Sequence, residues 1–227
     1  MKTGTQYNRS HARTFRERVH PLIIRVTHWI NFLALGLMIT SGLRIYDASP
    51  IFGQTELPTL FEFGGLAYAR QWHFFAMWAF FINGGIWILY NIFTRHGRKT
   101  TLFSPKDASG VLPMIRYYLR IRKDHPPSGK YNALQKLAYT STALLGLLTI
   151  LSGMAMYWPI QFSWLAWMFG GYDVARIFHF IFMALFLLFL FGHLVMVTIA
   201  GWGNFLSIFT GKIKVAARPV PSETNVG

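Results

Sequence analysis

The chain has 227 residues, of which 53% are hydrophobic, 17% aromatic and only 13% charged, yet 22 basic residues against 8 acidic ones give a net charge of +14. A water-soluble domain carries about a quarter charged residues, so this composition excludes an ordinary globular fold and points to a bilayer. Cysteine is absent, which removes disulfides, thiolate metal ligands, cysteine-held iron–sulfur clusters and thioether-attached haem.

Residues 1–21 form a polar, arginine-rich segment containing Arg9, Arg13, Arg16 and Arg18. The first apolar run after it, 22–43, is too long for the core of a secretory signal and is expected to be an uncleaved anchor. Three further runs, 72–93, 134–157 and 177–200, also reach the roughly 20 residues that a helix needs to cross a hydrocarbon layer. Arg25 and His28 stand near the start of the first run, Arg70 and His73 at the second, and Arg176 and His179 at the fourth, where His193 follows. Gly36, Gly84, Gly85, Gly146, Gly153 and Gly192 mark places where helices approach closely or where a flat macrocycle has room.

Between the second and third runs, residues 111–123 mix Leu112, Ile115 and Leu119 with Arg116, Arg120 and Arg122, the pattern of an interfacial amphipathic helix. His125-Pro-Pro-Ser-Gly-Lys-Tyr-Asn then breaks that helix and feeds the third span. The predicted fold class is an all-α integral membrane protein. Its four-helix transmembrane bundle occupies residues 22–210, with an interfacial cytoplasmic helix and polar flanks at 1–21 and 211–227.

Nineteen of the 22 basic residues lie in the amino-terminal segment with Arg25 at the first helix mouth, in the middle loop through Lys136, and in the tail, leaving only Arg44, Arg70 and Arg176 elsewhere. The positive-inside rule then places both termini and the middle loop in the cytoplasm. This also accounts for the net charge without nucleic acid, since no reading motif or basic folded module is present. The basic segments are expected to lie against anionic lipid.

An ionisable side chain inside a bilayer is costly and by default marks function. With the first helix rising and the fourth descending, His28 and His193 share a level roughly 9 Å below the inner boundary at 1.5 Å per residue. His73 and His179 start descending helices and share the outer level. Along the fourth helix, fourteen residues amount to about 21 Å of rise and bring the two side chains within about 40° of each other. Two imidazoles opposed across a bundle, without cysteine or an inward carboxylate, suit a six-coordinate iron porphyrin. Each arginine three residues before a histidine lies one turn closer to water on the same face. Arg25, Arg70 and Arg176 are therefore candidates to meet haem propionates. Set against this is a plainer reading, with histidines in interhelical hydrogen bonds and arginines snorkelling to headgroups. His11, His20, His96 and His125 fall in polar segments and are assigned no chemistry.

Over roughly 18–210 the chain resembles the bacterial di-haem cytochrome b family. That family includes the formate dehydrogenase gamma subunit, the b-type cytochrome of nickel–iron hydrogenases and thiosulfate reductase cytochrome b subunits. The resemblance rests on Arg25-Val-Thr-His28-Trp29, Trp72-His73-Phe74, Gly129-Lys130-Tyr131-Asn132 through Gln135-Lys136, and Gly170-Gly171-Tyr172-Asp173-Val-Ala-Arg176-Ile-Phe-His179 with His193. It implies two haems b ligated by His28/His193 and His73/His179, the same pairs that depth suggests. It also implies quinone exchange near the cytoplasmic haem with Asn132 in the pocket, although Asn132 reads equally well as a helix cap. The implied setting is the bacterial inner membrane. The implied partner is an extracytoplasmic redox subunit such as a molybdopterin oxidoreductase, docked over 44–71 and 158–176, where Asp47, Glu56, Glu62 and Asp173 make a mildly acidic face.

No nucleophile with a base, carboxylate dyad in a span or phosphate-binding loop is visible, so substrate chemistry is expected elsewhere. A proton or solute transporter built on His/Arg relays is the alternative, and colourless protein after haem-supplemented expression would favour it. A passive membrane anchor predicts one haem or none.

Overall fold

Long runs dominated by apolar side chains favour the one backbone form that satisfies its own N–H and C=O groups inside lipid, and each of the four runs is an α-helix. The computed structural model describes residues 14–53, 57 and 63–216. In chain order the elements are β1 (Thr14–Arg18), α1 (Leu22–Ala48), α2 (Leu66–Phe93), α3 (Arg95–Thr100), α4 (Ala108–Tyr118), α5 (Ala133–Tyr157), α6 (Ser163–Met168), α7 (Tyr172–Ala200), α8 (Trp202–Thr210) and β2 (Lys212–Ala216). Of the described helices, α1, α2, α5 and α7 are long and apolar enough to span a membrane.

The spans begin or end several residues beyond the apolar runs. α2 starts at Leu66 and α7 at Tyr172, so Arg70 and Arg176 lie inside helices. The interfacial helix also differs from the expected 111–123. It starts at Ala108 and stops at Tyr118, because Arg120 takes a left-handed φ of 59° and residues beyond it leave the helical path.

Contacts divide the described residues into two units, those of 14–25 with 194–216 and those between 26 and 193. In the first unit, β1 and β2 pair antiparallel, with Thr14 opposite Ala216 and Arg18 opposite Lys212. This small sheet is an addition to an otherwise helical fold. Its two strands are nearly 200 residues apart in sequence, so no local pattern announces it. Val19 N donates to the Gly211 carbonyl (2.9 Å), and Arg25 Nε donates to the Ile208 carbonyl (3.3 Å).

In the second unit, Ala34, Met38, Ala76, Phe80 and Phe186 form a core from three spans. The Phe80 and Phe186 rings meet edge to face at 6.1 Å, a favoured aromatic geometry. The reverse faces are apolar and uncovered, as lipid requires: Phe191 is 68% exposed and Phe75 65%. Several polar side chains within the spans donate to backbone carbonyls. Asn83 Nδ2 donates to the Thr27 carbonyl (2.7 Å), and the hydroxyls of Thr40, Thr142 and Thr149 each bond a carbonyl four residues back.

Candidate functional site

The outer histidines are carried by α2 and α7, each of which opens on a Gly-Gly pair. Gly64 and Gly65 have φ of 71° and 112°, and Gly170 and Gly171 have 86° and 105°, backbone that only glycine adopts without strain. Gly65 and Gly171 then accept the first helical bonds from Ala69 N and Ala175 N, both at 3.0 Å. His73 and His179 each stand seven residues past the first helical residue. They therefore lie two turns inside their helices rather than at the ends, and still at equal depth. Their ring centroids are 6.3 Å apart with planes at 64°.

The inner level is built by α1 and α7. His28 stands six residues from the start of α1 and His193 seven from the end of α7. Their ring centroids are 6.1 Å apart with planes at 53°, and His193 stacks on Phe189 at 5.8 Å and 19°. Phe186, seven residues from each histidine of α7, belongs to the packed core that separates the two levels.

These separations test whether the rings fit a common metal. A metal–imidazole bond is about 2 Å, with the ring centre about 1 Å behind the nitrogen, so two imidazoles on one iron stand about 6 Å apart. Both pairs meet that distance. The bundle therefore fits one six-coordinate metal group at each level, and the donor set, two neutral imidazoles, is one that haem b accepts.

Around the outer pair, the His73 ring nitrogen Nδ1 lies 3.1 Å from both the Met38 carbonyl and Ser41 Oγ. Ser152 Oγ lies 3.0 Å from His179 Nδ1. A methyl group on Gly42 would stand 3.3 Å from His73 Cε1, and one on Gly153 3.3 Å from His179 Cε1. Gly42 and Gly153 thus give room to the histidine rings, whereas a methyl group on Gly146 would make ordinary contacts of 3.5–3.9 Å with Phe80 and Phe186. Gly36, Gly84, Gly85 and Gly192 face open space.

The arginines diverge. Arg25 is tied to the Ile208 carbonyl. Arg70 is exposed, with no hydrogen bond or ion pair among the described residues. Arg176 Nη2 donates to the Ser49 carbonyl (2.6 Å) and Ser49 Oγ (3.1 Å), with Asp173 at 3.7 Å. Arg44, read from sequence as a loop residue, lies inside α1 one turn past Ser41, and its Nε is buried without a partner among the described residues. Such a stranded donor is what a carboxylate-bearing cofactor would meet.

Asn132 occupies the cap of α5. Its Oδ1 accepts from Gln135 N (2.9 Å), Gln135 Oε1 accepts from Asn132 N (3.0 Å), and Asn132 Nδ2 donates to the Tyr118 hydroxyl (3.1 Å). This is a reciprocal capping box, the plainer of the two sequence readings. The same residue also lines a polar cavity of about 280 Å³ with Lys99, Lys106, Asp107, Lys130 and Lys136. Lys136 Nζ lies 2.8 Å from Asp107 Oδ1. That ammonium and the Ser104 hydroxyl hold the Asp107 carboxyl down at about 2, while burial pushes the Tyr131 phenol up. Of the acidic residues assigned to a docking face, Asp47 and Asp173 are described, and Asp47 Oδ1 accepts from Leu57 N (3.0 Å). Glu56 and Glu62 lie outside the described residues, as do Lys2, Arg9, Arg13, His11 and Arg218.

One signal in the sequence went unread. Residues 64–80 and 170–186 share Gly-Gly-x-x-x-Ala-Arg-x-x-His-Phe-x-x-Met-x-x-Phe at a constant offset of 106, and Ser41-Gly42-x-x-x-Tyr46 matches Ser152-Gly153-x-x-x-Tyr157 at an offset of 111. The hairpins α1–α2 and α5–α7 are thus two copies of one unit, and the outer histidines are equivalent positions in it.

The family model described as prokaryotic cytochrome b561 matches residues 19–211. The putative protein-methionine-sulfoxide reductase subunit YedZ1 of Azospira oryzae is 37% identical over 182 residues, covering 80% of this chain and 90% of that protein. No solved structure matches.

Proposed function

The chain belongs to the prokaryotic cytochrome b561 family of multi-pass bacterial membrane electron-transfer proteins, and on that premise we propose that it links an extracytoplasmic redox subunit to the quinone pool by way of two bis-histidine haems b. The observation that carries this reading is the pair of ring separations, 6.1 Å for His28/His193 and 6.3 Å for His73/His179, one pair toward each end of the spans. Haem b, when bound, supplies a one-electron ferric/ferrous change. The chain's own part is to hold the ligands, keep water out and fix where electrons enter and leave.

His28 and His193 hold the inner haem, and His73 and His179 the outer one. Arg176 sits one turn above His179 and Arg44 one turn beyond Ser41, so these two cations serve the outer propionates. Arg25 and Arg70 are further candidates, Arg25 for the inner haem. Residues 22–210 form the haem-binding domain, and the charge bias of the loops supports cytoplasmic flanks at 1–21 and 211–227. Quinone is exchanged near the cytoplasmic boundary, with Asn132 and Tyr131 in the wall of its pocket.

The extracytoplasmic partner is of the molybdopterin type, and the outer segments carrying Asp47 and Asp173 receive it. That the relative YedZ1 is named a reductase subunit supports substrate chemistry in a separate chain. The deciding experiment is a pyridine haemochrome count on purified protein together with reduction by a quinol analogue. Two b-type haems per chain, both reducible by quinol, are expected. One haem or none, or two haems indifferent to quinol, would overturn the proposal.

A further inference from the structure

The outer site contains two serines whose surroundings match. Ser41 and Ser152 are both 0% exposed, deep in α1 and α5. Each hydroxyl has one hydrogen, and each has a helix carbonyl to receive it: Leu37 O at 2.5 Å for Ser41, and Thr149 O at 3.0 Å for Ser152. Once that hydrogen is placed, the oxygen has only lone pairs to offer the neighbouring histidine. The Met38 carbonyl, which can only accept, lies 3.1 Å from the same His73 nitrogen. In the second copy the hydroxyl oxygen of Ser152, its hydrogen directed to the Thr149 carbonyl, lies 3.0 Å from His179 Nδ1. The network therefore assigns the proton to Nδ1 in both rings and leaves each Nε2 lone pair free.

We propose that Ser41 and Ser152 are matched positioning residues of the outer haem. They fix His73 and His179 in the Nδ1–H form, turn both Nε2 atoms to one iron, and lower its reduction potential from both sides. The inference rests on the reading that His73 and His179 share a haem. The physical reason is that an imidazole donating its far N–H becomes a more basic ligand and so favours ferric over ferrous iron. Gly42 and Gly153 belong to the same device. Each follows its serine, and a methyl group added to it would stand 3.3 Å from Cε1 of the ring that the serine holds. Duplication of the hairpin explains why the arrangement occurs twice around one site.

The test is a spectroelectrochemical titration of the full-length protein in detergent, comparing wild type with Ser41→Ala, Ser152→Ala and the double variant. The wild type is expected to titrate as two one-electron components. Each alanine variant should raise the potential of the same component while leaving the other in place. The expected size is a change of a few-fold to tenfold in the ferrous-to-ferric ratio at fixed potential, about 59 mV at the tenfold end. The double variant should move further in the same direction, and Ser41→Thr and Ser152→Thr, which restore the hydroxyl, should return toward wild type. If an alanine variant is not recovered folded, Ser→Cys at that position, a weaker acceptor of similar volume, is titrated with the same expectation.

The serine proposal is overturned if neither component moves, if the two serines move different components, or if both components move together. A wild type that titrates as a single component removes the two-haem reading beneath it. Two wild-type components that ignore the serines leave that reading standing and sink this proposal alone.

Discussion

Replacing His179 by alanine should separate the two levels of the bundle. The substitution removes one of two rings whose centroids are 6.3 Å apart, leaving His73 as the sole donor at the outer site. The next histidine on α7 is His193, fourteen residues on and about 21 Å along the axis, far beyond the reach of one side chain. No other imidazole on α7 can replace the lost ligand. The core around Phe80 and Phe186 lies seven residues further into α7 and is untouched, so the inner pair should keep its geometry. Haem content is therefore expected to fall by half, from two per chain to one, with one redox component lost and helicity unchanged. His193→Ala should give the complementary result and remove the other component. The measurement is a pyridine haemochrome count per protein, with a redox titration and circular dichroism on the same sample. Retention of both haems with an unchanged titration would refute the assignment, and so would loss of both from protein of normal helicity.

Asn132 separates two roles. Asn132→Ala removes the cap of α5 and should cost about 1 kcal/mol of stability, whereas Asn132→Ser keeps a capping oxygen and should hold its unfolding temperature while raising the KM for a quinol analogue several-fold. An unchanged KM in the serine variant removes Asn132 from the quinone pocket. A methyl group on Gly97 would overlap Asn91 Cα and stand 2.6 Å from its carbonyl oxygen. Because both neighbours are backbone, Gly97→Ala should lose about 1–3 kcal/mol or more in detergent unfolding; equal stability would mean that α2 and α3 part easily. The Asp107 carboxyl is held at about 2 against an ordinary 3.8 by the Lys136 ammonium and the Ser104 hydroxyl. A lowered folded-state value means that the link stabilises above about pH 4 and is lost as pH falls toward 2. Asp107→Asn should therefore be less stable at neutral pH and show a flatter acid decline, read from unfolding midpoints across that window; parallel curves for the two proteins would contradict it.

Much of the architecture was legible because its causes are local or compositional. A run of about 20 apolar residues has few alternatives to a membrane helix, and the charge bias of the loops follows from where basic residues sit along the chain. The four histidines stood out because an imidazole among Phe, Leu and Ile has no cheap explanation. Their pairing needed only helix rise and alternating direction. The interfacial helix was visible from its mixed face, but its end was not, because the left-handed turn at Arg120 leaves no pattern in the residue types. Nor did apolarity show that α2 and α7 begin at Leu66 and Tyr172. Their first turns carry Arg70, Arg176 and Asp173, which look like loop until the Gly-Gly pairs are recognised as helix starts.

By itself, the order of residues determined a membrane bundle, its spans and the histidines that stand out within them, since burial in lipid penalises each polar group wherever its neighbours lie. Only the tertiary structure decided that β1 meets β2, that Arg176 is held by Ser49, and that Ser41 and Ser152 face the two outer rings. Those contacts join segments between 27 and nearly 200 residues apart in the chain. They depend on helix rotation and register, which many side chains set together and no single stretch encodes.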